Sequence, residues 1–204
     1  MNAALQKNGF KIVVIIVLLA MIGTFSYMLM KGNDTKMGVI KKAPDFKLTN
    51  LDGKQVGLSD LAGKTKLVYF FYSTCPDVCL PTTYTLSKVQ DTLVNKGVFG
   101  DKTAIVSITF DPTRDTPEQL KDFSGHYHAD PKGWYFLRGD EATAFDIANK
   151  FGVMVVKDQQ GNFTHNNVIL LVDKKGDLRT YYNGNDADLD VEKIAQDMIA
   201  LSKE

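Results

Sequence analysis

Cysteine is scarce in this chain, and the scarcity is informative. Only Cys75 and Cys79 occur among 204 residues, with three residues between them. One pair cannot build a closed four-cysteine zinc site within a single molecule. The two-residue spacing usual in disulfide oxidoreductases is also absent. Neither sign of charge is in excess, since 24 basic residues match 24 acidic ones. Nothing in the composition therefore points to a nucleic-acid partner or a basic membrane-binding face. Repeats and low-complexity tracts are missing. No proline follows Pro131.

One long apolar run is present, at residues 12–30, broken only by Gly23, Thr24 and Ser26. As a helix it would rise about 28 Å at ~1.5 Å per residue, close to a hydrocarbon core of about 30 Å. It reads as a retained signal anchor or as a cleaved signal peptide. The run is long for a signal-peptide core and no small-x-small cleavage site ends it, which favours the anchor. No cysteine lies near it, which excludes a lipidated cysteine there. Lysines on the two sides do not decide orientation. A single span followed by one large domain commonly exports that domain. The expected layout is a cytoplasmic segment at 1–11, an anchor at 12–31, a linker at 32–42 and a domain at 43–204, outside the cytoplasm at the cell membrane.

The two cysteines stand in Leu67-Val-Tyr-Phe-Phe-Tyr-Ser-Thr-Cys75-Pro-Asp-Val-Cys79-Leu-Pro. The apolar run before them reads as a strand buried on both faces. Pro81 is tolerated only in a first turn, so a helix starts near Cys79. Strand, turn and helix meet where open α/β sheets place their chemistry. A helix amino end favours thiolate over thiol. Two thiols so placed can form a disulfide, bind a soft metal such as Cu(I), or do both at different times.

Further along, 45–48 and 55–58 flank an Asp-Gly turn and read as a β-hairpin. Strands are expected at 103–110, 134–137, 168–172 and 178–182. Helices are expected after Cys79, from Thr116-Pro117 to about His126, from Asp140 to Phe151, and over 191–201. The pattern predicts an α/β domain, a mixed sheet with helices on both faces. Of the three histidines, His126 and His128 close a polar helix and read as solvated. His165 lies just before the strand at 168–172. From the residues alone it is either a ligand or a hydrogen-bonded loop residue.

Four stretches together resemble the Sco/SenC family, thioredoxin-like copper proteins that help assemble the copper site of cytochrome c oxidase. They are Phe70-Phe71-Tyr72-x-x-Cys75-Pro76-Asp77-Val78-Cys79, Asp111-Pro112-Thr113-Arg114-Asp115-Thr116-Pro117, Trp134-Tyr-Phe-Leu137, and His165 ahead of an aliphatic strand and hairpin. The resemblance implies a thioredoxin-like mixed sheet with flanking helices and an amino-terminal hairpin, preceded here by a transmembrane helix. It implies Cys75, Cys79 and His165 as copper ligands, with the cysteine pair redox-active and disulfide-bonded when oxidised. The partners it implies are the copper-site subunit of the oxidase and a thiol-reductant protein. Two departures stand out. Leu80 intervenes before Pro81, where the family has proline next to the second cysteine. Thr164 precedes His165, where the family often has an acid that would orient the imidazole.

The reading that follows is a membrane-anchored copper chaperone, a binding and transfer protein rather than a turnover enzyme. The alternative is a thiol-disulfide reductase that keeps the oxidase's copper-ligand cysteines reduced. Thioredoxin-type oxidoreductases carry a cis-proline in the loop before a late strand. Here that loop holds His165, Asn166 and Asn167, which favours metal. A thiol peroxidase lacks support because no Pro-x-x-x-Thr precedes Cys75.

Overall fold

The computed structural model describes residues 3–30, 37–75, 79–186 and 189–204. The 76–78 part of the cysteine motif and the 32–36 part of the expected linker lie outside the described residues. The chain divides into two compact units, residues 1–36 and 37–204.

In the first unit, Ala3–Met30 is one helix, α1. It starts well before the apolar run and takes in most of the segment expected to precede the span. Among the described residues no helix is long and apolar enough to cross a membrane.

The second unit is built on β4, Thr65–Phe71, in which all seven residues are buried. Both faces are covered, which is why this strand reads as a continuous apolar run instead of alternating. It lies parallel to β5 (Thr103–Thr109), with Leu67 opposite Ile105 and Phe70 opposite Ile108. On its other side it runs antiparallel to β9 (Val168–Val172), with Leu67 opposite Leu171. β6 (Trp134–Leu137) extends the sheet parallel to β5. β10 (Asp177–Asn183) pairs antiparallel with β9. β1 (Lys41–Lys42), the last part of the stretch read as a linker, pairs with β10 at the edge. The order is β1-β10-β9-β4-β5-β6.

Successive residues of a strand face opposite sides of the sheet. Phe70 meets Phe151 of α4 (Glu141–Phe151) on one side, at 5.7 Å between rings. Phe71 meets Phe123 of α3 (Pro117–His126) on the other, at 5.3 Å. α2 (Cys79–Asn95) packs against α5 (Val191–Lys203). Burying each of these phenylalanines stabilises the fold by about 1.5–3 kcal/mol. The helix starts follow capping chemistry. Thr116 accepts from the Gln119 N–H ahead of Pro117, Asp140 from that of Thr143, and Asp190 from that of Lys193. α4 ends where Gly152 takes φ 89, a conformation open to glycine and costly for others.

Two small hairpins complete the unit. β2 (Lys47–Thr49) and β3 (Gln55–Gly57) form the expected one. The other is a correction. β7 (Val155–Lys157) and β8 (Phe163–His165) pair with Val155 opposite His165. His165 therefore ends a strand, where the sequence reading had a loop. Among the described residues this hairpin shares no ladder with the central sheet.

Candidate metal centre

Cys75 follows β4 in a tight turn, its N–H donating to the Tyr72 carbonyl at 3.3 Å. Cys79 is the first residue of α2. Both are thiols and both are buried, Cys75 5% and Cys79 0% exposed. The Cys79 carbonyl accepts from the Thr83 hydroxyl at 2.7 Å. Pro81, in the first turn, has no N–H to lose there.

The Asp-Pro-Thr-Arg-Asp stretch after β5 braces this turn. Asp115, buried, accepts from the Ser73 N–H at 3.1 Å to each oxygen. It also accepts from the Ser73 and Thr109 hydroxyls. Arg114 pairs with Asp111 and donates from Nη2 to the Gly161 carbonyl at 2.7 Å. Its guanidinium lies over the Tyr72 and Phe163 rings, 5.7 and 5.5 Å from their centroids. One loop thus holds both the cysteine turn and the hairpin that carries His165.

The structure brings His165 to Cys79, with Nε2 3.7 Å from Sγ. Its Nδ1–H donates to the Asn166 carbonyl at 3.2 Å. A carbonyl only accepts, so this bond fixes the tautomer and leaves the Nε2 lone pair facing the sulfur. The backbone supplies the orientation that the acid missing at Thr164 would have given. Phe110 meets the imidazole edge to face at 4.9 Å. Burial pushes the His165 pKa down, so the ring is neutral at pH 7, the form that binds metals.

Cys79 departs from the helix-end expectation. A hydrogen bond with Cys75, then burial and the charge of Cys75, push the Cys79 thiol strongly up. These outweigh the helix amino end, whose effect is about 0.3–1 kcal/mol when exposed. Burial first, and then Cys75, push Tyr72 up to about 12. Tyr69, buried against Cys79 and Thr82, is raised well above its usual value, chiefly by burial. The pocket resists a second negative charge. A soft cation would remove that resistance and release the Cys79 proton as it bound.

Among the described residues no group of three or more His, Cys, Asp and Glu side chains is already closed around a metal position. The pair that has converged nevertheless has a suitable separation. With bonds of about 2.3 Å to sulfur and about 2.0 Å to nitrogen, lengths known for zinc, trigonal to tetrahedral angles put the two atoms about 3.5–3.8 Å apart. Two sulfurs and one nitrogen suit a soft ion of low coordination number. His126 and His128 stand apart at the end of α3, both exposed, with His126 Nδ1 3.6 Å from Asp122.

A thioredoxin-like α/β domain with two buried thiols and an imidazole at the carboxyl end of its central strand defines a class, the dithiol and soft-metal proteins of this fold. The comparisons narrow it. A family model described as SCO1/SenC matches residues 35–202. The SCO1 protein homolog of Bacillus subtilis is 31% identical over 156 residues, 75% of this chain and 79% of its own. The solved structure of BsSco, described as a member of the Sco family of cytochrome c oxidase assembly proteins with a disulfide switch, matches with TM-score 0.72 at 28% identity, over 81% of this chain and 96% of that one. ScoI of Bradyrhizobium japonicum, solved with copper bound, matches with TM-score 0.65 at 29% identity, over 78% of this chain and 99% of that one. This chain belongs to the SCO1/SenC family.

Proposed function

We propose that this chain is a membrane-anchored copper chaperone for the copper site of cytochrome c oxidase, holding its cargo through Cys75, Cys79 and His165. The observation that carries the reading is the 3.7 Å approach of His165 Nε2 to Cys79 Sγ, with the tautomer fixed by the Asn166 carbonyl. A redox cysteine pair needs no bare imidazole nitrogen aimed at its sulfur. A copper site does. The copper-bound relative supports the same cargo, and the family's tie to oxidase assembly supports the recipient.

Loading follows from the protonation states. The neutral imidazole gives up no proton, while Cys79 must lose its own before it can ligate. Copper uptake is therefore linked to pH through the Cys79 proton. Oxidation to a Cys75–Cys79 disulfide removes both thiolates, so a thiol-reductant protein belongs to the cycle. The partner receiving the ion is the oxidase's copper-site subunit. The anchor is the apolar run at residues 12–30, carried on helix α1, and the domain lies on the extracytoplasmic side.

The alternative is a thiol-disulfide reductase acting on that subunit's cysteines. The hydrogen-bonded Cys75–Cys79 pair and the disulfide switch described for BsSco are what favour it. Copper binding by the detergent-solubilised full chain tests the lead reading. The reduced protein is expected to take up about one copper and the oxidised protein little, because only thiolates ligate. Equal uptake by both forms would sink it. Carbonate washing should leave the protein on membranes, and external protease should digest the domain once the wall or outer membrane is removed.

A further inference from the structure

We infer that Asn167 is a positioning residue that holds His165 at bonding distance from Cys79, through a hydrogen bond to Thr82. This rests on the copper site proposed above and adds to it a residue outside the ligand set.

Asn167 is 2% exposed and Thr82 1% exposed. Asn167 Nδ2 donates to Thr82 Oγ1 at 2.9 Å and to Asn185 Oδ1 at 3.2 Å. Thr82 Oγ1 donates onward to the Gly184 carbonyl at 3.3 Å. The Gly184 N–H returns to the Asn167 carbonyl at 2.9 Å. Three segments meet in this closed cluster: the first turn of α2, the entry to β9, and the loop after β10. Thr82 stands three residues after Cys79, and Asn167 two residues after His165. One buried bond therefore joins the segments that carry two of the ligands.

The joint matters because of the topology. His165 belongs to β8, whose only ladder among the described residues is with β7. No sheet register fixes β8 against α2. Arg114 holds the far end of the hairpin at Gly161, and Asn167 holds the near end. Gly184 gives the amide its room, since a Cβ there would sit 2.5 Å from Asn167 Nδ2 and 2.7 Å from its Cγ.

Three variants of the full-length protein test this: Asn167→Ala, Thr82→Val and Gly184→Ala. The last keeps both partners and only displaces the amide. Cu(I) affinity is measured by competition with a chromophoric chelator, and the Cys75–Cys79 disulfide equilibrium against glutathione. Partners of metal ligands typically contribute about 10- to 100-fold in affinity, and that loss is expected in each variant. The disulfide equilibrium should stay within a few-fold, and the double variant Asn167→Ala/Thr82→Val should bind no more weakly than the worse single one. X-ray absorption of the copper-loaded variants should keep both sulfur scatterers and lose order in the nitrogen. If His165→Ala weakens copper and these variants do not, the inference is overturned and the copper site stands. If copper affinity and disulfide equilibrium fall together, Asn167 merely supports the fold and the inference is also overturned. If His165→Ala itself binds normally, the copper-site reading is what has failed.

Discussion

The Asp115 carboxylate receives the Ser73 backbone N–H at 3.1 Å to each oxygen, two residues before Cys75. It also takes the Ser73 and Thr109 hydroxyls and, among the described residues, forms no salt bridge. Asparagine offers one acceptor oxygen where aspartate has two, and turns an amide N–H₂ toward buried donors. Each donor left unmatched costs about 1–3 kcal/mol, so Asp115→Asn should lower stability in urea by about 2–5 kcal/mol when the carboxylate it replaces is ionised. Burial raises the Asp115 pKa despite the bonds from Ser73 and Thr109. A raised carboxyl contributes stability below its unfolded pKa of about 4 and loses it as pH rises through the folded value. The gap between wild type and variant should narrow from pH 4 to pH 7. A gap that widens would contradict the direction assigned to Asp115.

Lys66 sits in β4 at 1% exposure, its Nζ donating to the Leu61 carbonyl at 3.1 Å. Burial lowers its pKa to about 8, and the nearby Asp173 only partly opposes this. Between about pH 8 and about pH 10.4 the unfolded lysine still holds a proton that the folded one has lost. Stability from this group therefore rises with pH across that window. Lys66→Met removes the titration. The difference in unfolding free energy, wild type minus variant, should climb by about 1–3 kcal/mol from pH 8 to pH 10. Tyrosines and cysteines also titrate there but cancel in the difference. A flat difference would show that Lys66 stays charged when folded.

Arg114 ties the turn after β5 to the β7–β8 hairpin through the Gly161 carbonyl and the Tyr72 and Phe163 rings. Lysine cannot donate in two directions from a plane while stacking on two rings. Arg114→Lys should therefore speed amide hydrogen exchange at residues 155–165 several-fold. The central strand β4 should exchange as before. Equal exchange in the hairpin would mean that the guanidinium does not hold it.

Much of this architecture was legible because its signals are local. The buried run of β4, the Thr116-Pro117 helix start and the Gly152 stop each act within a few residues, and each element lies where it was expected. The β7–β8 hairpin escaped because its strands are three residues long, too short for a period to show. Val156 is moreover 64% exposed and Phe163 alone is buried, so no alternating buried face marks it. The Asp-Pro-Thr-Arg-Asp stretch was visible as a motif, but its part in bracing the cysteine turn was not. Asn167 reaches Thr82 across 85 residues of sequence, and no local pattern encodes such a contact. The Cys79 thiol went against its helix position because burial and a second sulfur outweighed a helix end.

Replacing His165 separates the two leading readings most directly. A site of two thiolates and one imidazole loses a ligand in His165→Ala. Damage to partners of ligands already costs about 10- to 100-fold in affinity, so removing the ligand itself should cost at least that. The cysteine pair keeps its turn, its brace at Asp115 and its place at the head of α2, so disulfide formation and reduction by a small thiol should change within a few-fold. His126→Ala and His128→Ala should change neither property, both side chains being exposed at the end of α3. In cells the chaperone reading expects failed oxidase assembly from a variant with intact thiol chemistry. Wild-type copper affinity in His165→Ala would remove the residue from the ligand set. Normal oxidase assembly in the same variant would then favour the reductase, whose chemistry needs only Cys75 and Cys79.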